Sequence, residues 1–178
     1  MSGVKKLEAA GVDFIVIACN TVHAYYNEMQ SAIKIPIFSI IDETKKMAAV
    51  QGVKKIGLFA SETTVKLNLY QKSFFGAGIE VIPPNEEQQK VLNCVIEHVM
   101  GGNQDGEDIK ALKEIAKNYK NQGAEAIVLG CTEIPLAINQ SHTEIKLFDT
   151  LQILAEFAVD YALCGKKPVD SKIQSPSI

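Results

Sequence analysis

Two cysteines stand at the points where two apolar runs of the sequence end. The run FIVIACNTVH contains Cys19, and the run AIVLGCTEIP contains Cys131 in the same position after a buried-type segment. A thiol can donate a proton and a thiolate can accept one. Two cysteines on opposite sides of a bound molecule could therefore remove a proton from one face of a tetrahedral carbon and return one to the other face, which inverts that carbon.

Small polar side chains follow both cysteines. Asn20 and Thr21 come after Cys19, and Thr132 comes after Cys131. Amide and hydroxyl groups of this kind can cap a helix or hydrogen-bond a carboxylate. In open parallel α/β sheets, ligands bind beyond the carboxyl ends of the strands, where helix N-termini point free N–H groups at them. We therefore predict an anion site between the two thiols.

The segments that must hold these residues alternate between strand and helix. Apolar and β-branched runs predict strands at 13–19, 35–41, 55–60, 79–83, 125–131 and 145–149. Apolar residues recur on one helix face within 86–100, within 108–121 and from Leu154 to Tyr161. Alternation of strand and helix is typical of a parallel α/β sheet with right-handed crossovers. Apolar runs without strict alternation fit strands that are covered on both faces.

The sequence contains an internal repeat around the two cysteines. AAGVDFIVIACNT at 9–21 and NQGAEAIVLGCTE at 121–133 align without a gap, and the alignment pairs Gly11 with Gly123 and Cys19 with Cys131. Each copy reads as a helix, a glycine that ends it, a buried strand and a cysteine. We therefore predict an α/β fold of two pseudo-symmetric Rossmann-like half-domains with parallel sheets, and an active site in the cleft between them.

The predicted boundary between the half-domains lies near Gly52. Residues 1–52 would form the remainder of an N-terminal half-domain, and residues 53–165 a C-terminal half-domain whose last helix can pack back on the first half. Residues 166–178 are polar, include two prolines and lack periodicity, so we expect a surface strap or a disordered end.

Composition narrows the possible partners. The 178 residues carry a net charge of −3 without a basic stripe, so we expect a small-molecule ligand and no nucleic acid. No apolar run approaches the ~20 residues that span a bilayer, and the start lacks a signal-peptide pattern, so we expect no membrane insertion and a cytoplasmic location. The four cysteines form no C-x-x-C pair and have no histidine at metal-ligand spacing, so no metal site is predicted.

The motifs ACNTVH at 18–23 and GCTEI at 130–134 resemble the two signature motifs of the aspartate/glutamate racemase family, whose members need no pyridoxal phosphate. GCTE followed by Ile-Pro is similar to the aspartate-racemase branch, because bacterial glutamate racemases usually carry GCTH. The resemblance implies a cofactor-independent enzyme that interconverts L- and D-aspartate, or glutamate, and that forms a homodimer. Family members begin with a further strand-helix-strand unit, so we expect an N-terminally shortened racemase with an incomplete first half-domain.

The same resemblance implies roles for individual residues. Cys19 and Cys131 would be the acid/base catalysts. The α-carboxylate and ammonium groups of the substrate would be held by Asn20, Thr21 and Thr132. Glu133 would have a supporting role, and His23 could either orient the thiol or substrate or simply occupy the first helical turn.

Other interpretations remain open at this point. Hydantoin racemases and maleate isomerases share the architecture, while arylmalonate decarboxylases work with one cysteine and fit the pair less well. A catalytically silent ligand-binding protein is a further alternative, and a thiol redox protein is disfavoured because no two cysteines are close in sequence. Cys94 and Cys164 are predicted to pack in apolar helix faces, and His98 and His142 to face solvent.

Overall fold

The structure is an alternation of short parallel strands and helices. A computed structural model describes residues 1–164. The elements are, in chain order, α1 (Ser2–Ala9), β1 (Ile15–Val16), a 3-10 helix (Thr21–Tyr25), α2 (Tyr26–Ser31), β2 (Ile37–Phe38), α3 (Ile40–Val50), β3 (Lys55–Ala60), α4 (Glu62–Lys66), α5 (Leu69–Phe75), β4 (Glu80–Ile82), α6 (Glu86–Gly101), α7 (Gly106–Asn121), β5 (Ala126–Gly130), α8 (Ile134–Ala137), a second 3-10 helix (Gln140–His142), β6 (Lys146–Asp149) and α9 (Thr150–Cys164).

The strands form two parallel sheets. β1 pairs with β2, and the larger sheet has the order β4-β3-β5-β6. All six predicted strands are present, and the predicted parallel α/β fold is confirmed. The first strand is shorter than the predicted 13–19, because its only partner within residues 1–164 is the two-residue strand β2. β3 and β5 are central and almost wholly buried, which explains their uninterrupted apolar sequences.

Capping residues stabilise the first turns of the two long helices α6 and α7. At the start of α6, the Asn85 side chain accepts a hydrogen bond from the Gln88 N–H, and the Gln88 side chain accepts one from the Asn85 N–H. α7 begins with the same reciprocal arrangement between Asp105 and Asp108. The predicted apolar faces of both helices pack on the sheet, so the helices expected at 86–100 and 108–121 are confirmed.

The internal repeat is also a structural repeat. Gly11 and Gly123 each follow a helix with a left-handed backbone, with φ of 81° and 84°, a conformation that favours glycine. A parallel strand and then a cysteine follow in both copies. The copies differ in burial, because Val128 in the central strand is inaccessible whereas Val16 in β1 is exposed.

The last helix joins the two sheets. α9 lies against α3, and its Phe157 and Tyr161 pack on Phe38 of β2, with ring centroids 4.8 and 4.6 Å apart respectively. Phe14 contacts Tyr161 as well, with centroids 5.2 Å apart. We call Phe14, Phe38, Phe157 and Tyr161 the aromatic cluster.

Packing across residue 52 is continuous. Ile40, Ile41 and Ala48 of α3 share one hydrophobic core with β3, β5 and α9. The division at residue 52 stays a prediction, and the predicted tail at 166–178 lies outside the described residues. Within residues 1–164, no helix is both long and apolar enough to cross a membrane.

Candidate active site

The two repeated cysteines lie just beyond the carboxyl ends of parallel strands. Cys19 follows β1 and Cys131 directly follows β5, and both side chains are half-buried. Asn20, next to Cys19, donates a hydrogen bond to Thr150. The Thr150 hydroxyl donates to the carbonyl of Leu129, two residues before Cys131. The structure therefore places the segments that carry the two predicted catalysts side by side.

The Cys131 thiol is held in its protonated form. Its Sγ donates a hydrogen bond to Oε2 of Glu133 at 3.0 Å, and the Thr132 hydroxyl donates to the same oxygen at 3.1 Å. Burial raises the pKa of Cys131 from 9.0 to about 12, with further increases from the hydrogen bond to Glu133, from the Glu133 charge and from Cys19. At neutral pH this residue is therefore protonated and can act as a proton donor.

Asn20 connects three segments beneath the site. It is 3% exposed, its Nδ2 donates to Oγ1 of Thr150 at 3.3 Å, and its Oδ1 accepts from the Tyr70 hydroxyl. Thr150 in turn donates to the carbonyl of Leu129 in β5. Asn20 thus ties the loop after β1 to α5 and to the start of α9. Tyr70 was not identified from the sequence, because nothing in its helical segment signals a buried hydroxyl.

Thr21 belongs to a group of three hydroxyls. Its Oγ1 lies 3.0 Å from Oγ of Ser61 and 2.9 Å from Oγ1 of Thr64, and the last two oxygens are 3.0 Å apart. Ser61 follows β3 directly and caps α4 by accepting from the Thr64 N–H. Neither partner was identified from the sequence, although Ser61 is a polar residue at the end of a buried strand, as are the residues that were identified.

His23 is fixed by two backbone groups. Its Nδ1 lies 2.9 Å from the Cys19 carbonyl, and its Nε2 accepts from the Ile40 N–H at 3.2 Å. Nδ1 therefore carries the proton and donates to the carbonyl of Cys19. Burial lowers the pKa of His23, which keeps the ring neutral. Of the two roles left open for this residue, the geometry favours positioning of Cys19 and leaves neither ring nitrogen free for proton transfer to a ligand.

The helices that follow the two cysteines are short. A 3-10 helix begins at Thr21, and α8 covers only Ile134–Ala137. Neither Asn20 nor Glu133, at their N-cap positions, makes a capping hydrogen bond with its side chain. These short helices contribute few aligned peptide dipoles, so the attraction of an anion to their N-termini is weak.

A groove of about 610 Å³ lies elsewhere, between α7 and residues 141–145, with Lys117, Lys120 and Glu144 among its lining residues. Residues 141–145 precede β6, whereas Cys131 follows the parallel neighbour β5, so this groove and the cysteine lie at opposite ends of the sheet. It is not the site of the two cysteines. Within residues 1–164, no three His, Cys, Asp or Glu side chains are grouped as metal ligands.

Known proteins to which this chain is similar include several racemases. The sequence profile of the family described as Asp/Glu/Hydantoin racemase matches residues 1–158. The broad specificity amino-acid racemase RacX of Bacillus subtilis is 34% identical over 159 residues, which are 89% of this chain and 69% of that protein. The glutamate racemase of Aquifex aeolicus is 32% identical over 133 residues, which are 73% of this chain and 50% of that enzyme.

A solved structure agrees with the sequence relatives. The crystal structure of an aspartate racemase homologue from Pyrococcus horikoshii superimposes with a TM-score of 0.81 and 31% identity, covering 90% of this chain and 71% of that one. The chain thus spans about half of the glutamate racemase and about 70% of the other two relatives. With the profile match over residues 1–158, these findings show that the chain belongs to the Asp/Glu/hydantoin racemase family, a family of isomerases.

Proposed function

We propose that this chain is a cofactor-independent amino-acid racemase that interconverts L- and D-aspartate by acid/base catalysis with Cys19 and Cys131. One observation carries the proposal: two half-buried thiols follow parallel strands in a structural repeat, and one of them is held protonated by a carboxylate. An inverting proton transfer needs such a pair, with one group ready to accept a proton and the other ready to give one.

The geometry supports a definite order of events. The Cys19 thiolate removes the α-proton from one face, and the Cys131 thiol donates its proton to the opposite face. The site then holds a protonated Cys19 and a Cys131 thiolate. For the other enantiomer the roles reverse: the Cys131 thiolate removes the α-proton, and the Cys19 thiol donates its proton to the opposite face.

Neighbouring polar groups support the binding of an acidic amino acid. The Thr21 hydroxyl and the Thr132 hydroxyl are half-buried beside the two cysteines, and we assign them to the α-carboxylate and ammonium groups. Asn20 is more deeply buried, and both polar atoms of its side chain already make a hydrogen bond, so we assign it to holding the loop. Each of these atoms can still make one further hydrogen bond, to the substrate. His23 positions Cys19 through its carbonyl.

The relatives support the substrate class. An aspartate racemase homologue, a glutamate racemase and a broad specificity amino-acid racemase are each more than 30% identical to this chain. Aspartate is the first candidate because GCTE at 130–133 resembles the aspartate branch. Glutamate and a panel of neutral and basic amino acids should be assayed beside it, and hydantoins and maleate would identify the alternative activities.

Proton NMR in D2O tests the proposal directly. The chain is incubated with L- or D-aspartate under reducing conditions, and loss of the α-proton signal is followed. We expect exchange with both enantiomers. Cys19→Ser and Cys131→Ser should each abolish racemisation but retain exchange of one enantiomer, and a different one in each variant, because the remaining cysteine still reaches its own face.

Cys164→Ser is the matched control, because it removes a thiol that is remote in sequence from both motifs, and it should exchange both enantiomers as the parent does. The proposal fails if a folded sample exchanges none of the amino acids in the panel, or if both serine variants retain racemisation. Binding of aspartate by calorimetry without exchange would instead support a silent ligand-binding protein.

Two further expectations stay predictions, namely a homodimer and a cytoplasmic location. Light scattering coupled to size exclusion measures the first, and fractionation of the source cells measures the second.

A further inference from the structure

A second group of reactive side chains lies outside the cysteine pair described above. Cys94 and His98 are one turn apart on α6, and Asp108 lies in the first turn of α7. The Cys94 Sγ is 3.4 Å from Nε2 of His98, and His98 Nδ1 is 2.9 and 3.1 Å from the two carboxylate oxygens of Asp108. The predictions that Cys94 and Cys164 pack in apolar faces are wrong, because both side chains are exposed.

This chain of contacts is ordered from buried to exposed. The Asp108 side chain is only 8% exposed, the His98 side chain is 42% exposed, and Cys94 faces solvent. Asp108 is itself held in place, because it accepts the Asp105 N–H and its own N–H is capped by Asp105. The carboxylate therefore fixes the imidazole from behind, while the thiol at the front stays accessible.

The arrangement sets the proton positions. With Nδ1 donating to Asp108, the neutral His98 ring presents the lone pair of Nε2 to the Cys94 thiol. Transfer of the thiol proton to Nε2 gives an imidazolium that is paired with the Asp108 carboxylate and lies in the last turn of α6, where a helix favours positive charge. A nucleophile, a base and a group that orients the base are the parts of an activated thiol.

We propose that Cys94 is a thiol-modification site that exchanges with low-molecular-weight disulfides. The Cys94 thiol gives its proton to His98, and the thiolate attacks one sulfur of the disulfide. A new S–S bond forms between Cys94 and that sulfur while the old S–S bond breaks, and the departing thiolate takes the proton from His98. Cys94 is oxidised to a mixed disulfide, and one half of the small disulfide is reduced to a thiol.

Disulfide exchange fits this site better than acyl transfer. The backbone N–H groups around Cys94 lie in the interior of α6 and are used in its helical hydrogen bonds, so they cannot stabilise an oxyanion. Exchange needs only an accessible sulfur, a proton acceptor and room for a linear approach, which an exposed helix face provides. A metal is not favoured either, since these three side chains are not arranged as a metal site.

The test compares the four cysteines of the full-length chain under identical conditions. The reduced protein is mixed with oxidised glutathione, samples are quenched with acid, and peptide mass spectrometry measures the mixed disulfide at each cysteine over time. We expect Cys94 to react at least about tenfold faster than Cys164, since activation by a base distinguishes two otherwise exposed thiols. Equal rates at Cys94 and Cys164 in the unmodified chain would overturn the proposal without any variant.

Two histidine variants separate activation from exposure. His98→Gln can still hydrogen-bond Asp108 but cannot accept the thiol proton, and it should lower the Cys94 rate to within about twofold of the Cys164 rate, while circular dichroism verifies the helix content. His142→Gln is the matched control, because His142 lies in the second 3-10 helix, before β6, and it should leave the Cys94 rate unchanged. A Cys94 rate that is insensitive to His98→Gln would also overturn the proposal.

Discussion

The raised pKa of Cys131 predicts that its thiol reacts slowly with alkylating reagents. A thiol with a pKa of 9.0 is about one-tenth ionised at pH 8, whereas a pKa of about 12 leaves about one molecule in ten thousand ionised. Because only the thiolate is alkylated, Cys131 should react with iodoacetamide about a thousandfold more slowly than an ordinary accessible thiol.

Glu133→Gln should relieve part of this suppression. The substitution keeps the size of the side chain but removes the negative charge and the carboxylate that accepts the Cys131 hydrogen bond, whereas burial, the largest cause, remains. We expect the alkylation rate of Cys131 at pH 8 to rise by about tenfold, which corresponds to a pKa lower by about one. Peptide mass spectrometry of timed reactions gives the rate for each cysteine separately.

The control removes a carboxylate that contacts neither Cys19 nor Cys131. Glu114 is exposed on α7, so Glu114→Gln changes the net charge by the same amount and should leave the Cys131 rate unchanged. An unchanged or slower Cys131 reaction in Glu133→Gln would refute the reasoning, because it would mean that Glu133 does not oppose ionisation of the thiol. A lower urea midpoint in Glu133→Gln would instead point to loosening of the whole fold.

The remaining predictions concern stability and use urea unfolding. His23→Ala leaves the Ile40 N–H and the Cys19 carbonyl without their partner and should cost about 1–3 kcal/mol; no loss would show that water replaces the ring at no cost. Gly57→Ala places a methyl group against the ring of Tyr119 and should destabilise by about 1–3 kcal/mol through overpacking, whereas an unchanged midpoint would mean that the ring moves freely. Folding raises the pKa of Cys131, so its contribution to the free energy of unfolding is complete below pH 9.0 and is lost as the pH rises toward about 12. Cys131→Ser should therefore make the decline in stability at alkaline pH less steep. An equally steep decline in the variant would contradict this.

The main features of the fold could be predicted because each depends on a local signal. Uninterrupted apolar runs identified the buried strands β3 and β5, and the repeated glycines at 11 and 123 identified the helix ends that precede the two cysteine strands. The motif pair identified the candidate catalysts. These signals need only neighbouring residues, so one sequence was sufficient.

Features that depend on distant contacts could not be predicted in this way. Tyr70 reaches Asn20 only because α5 is folded against the loop after β1, and Asp108 reaches His98 only because α7 begins beside the end of α6. Cys94 was assigned to an apolar face from helical periodicity, but the exact edge of a helix face is fixed by which neighbours cover it. Contacts between residues that are distant in sequence therefore determine the chemistry of these side chains, and they are visible only in the folded structure.

The aromatic cluster has a consequence for how the chain is made. Phe14 leaves the ribosome long before its partner Tyr161, which is 147 residues further along the chain. Until α9 emerges, the apolar surface of α3 and the ring of Phe38 lack their cover, and a nascent chain in that state is prone to aggregate. Protease digestion of ribosome-arrested chains should therefore show protection of α3 only after α9 has left the exit tunnel, and earlier protection would contradict this order. Completion of this part of the fold is thus a late event that depends on α9, the last helix within residues 1–164.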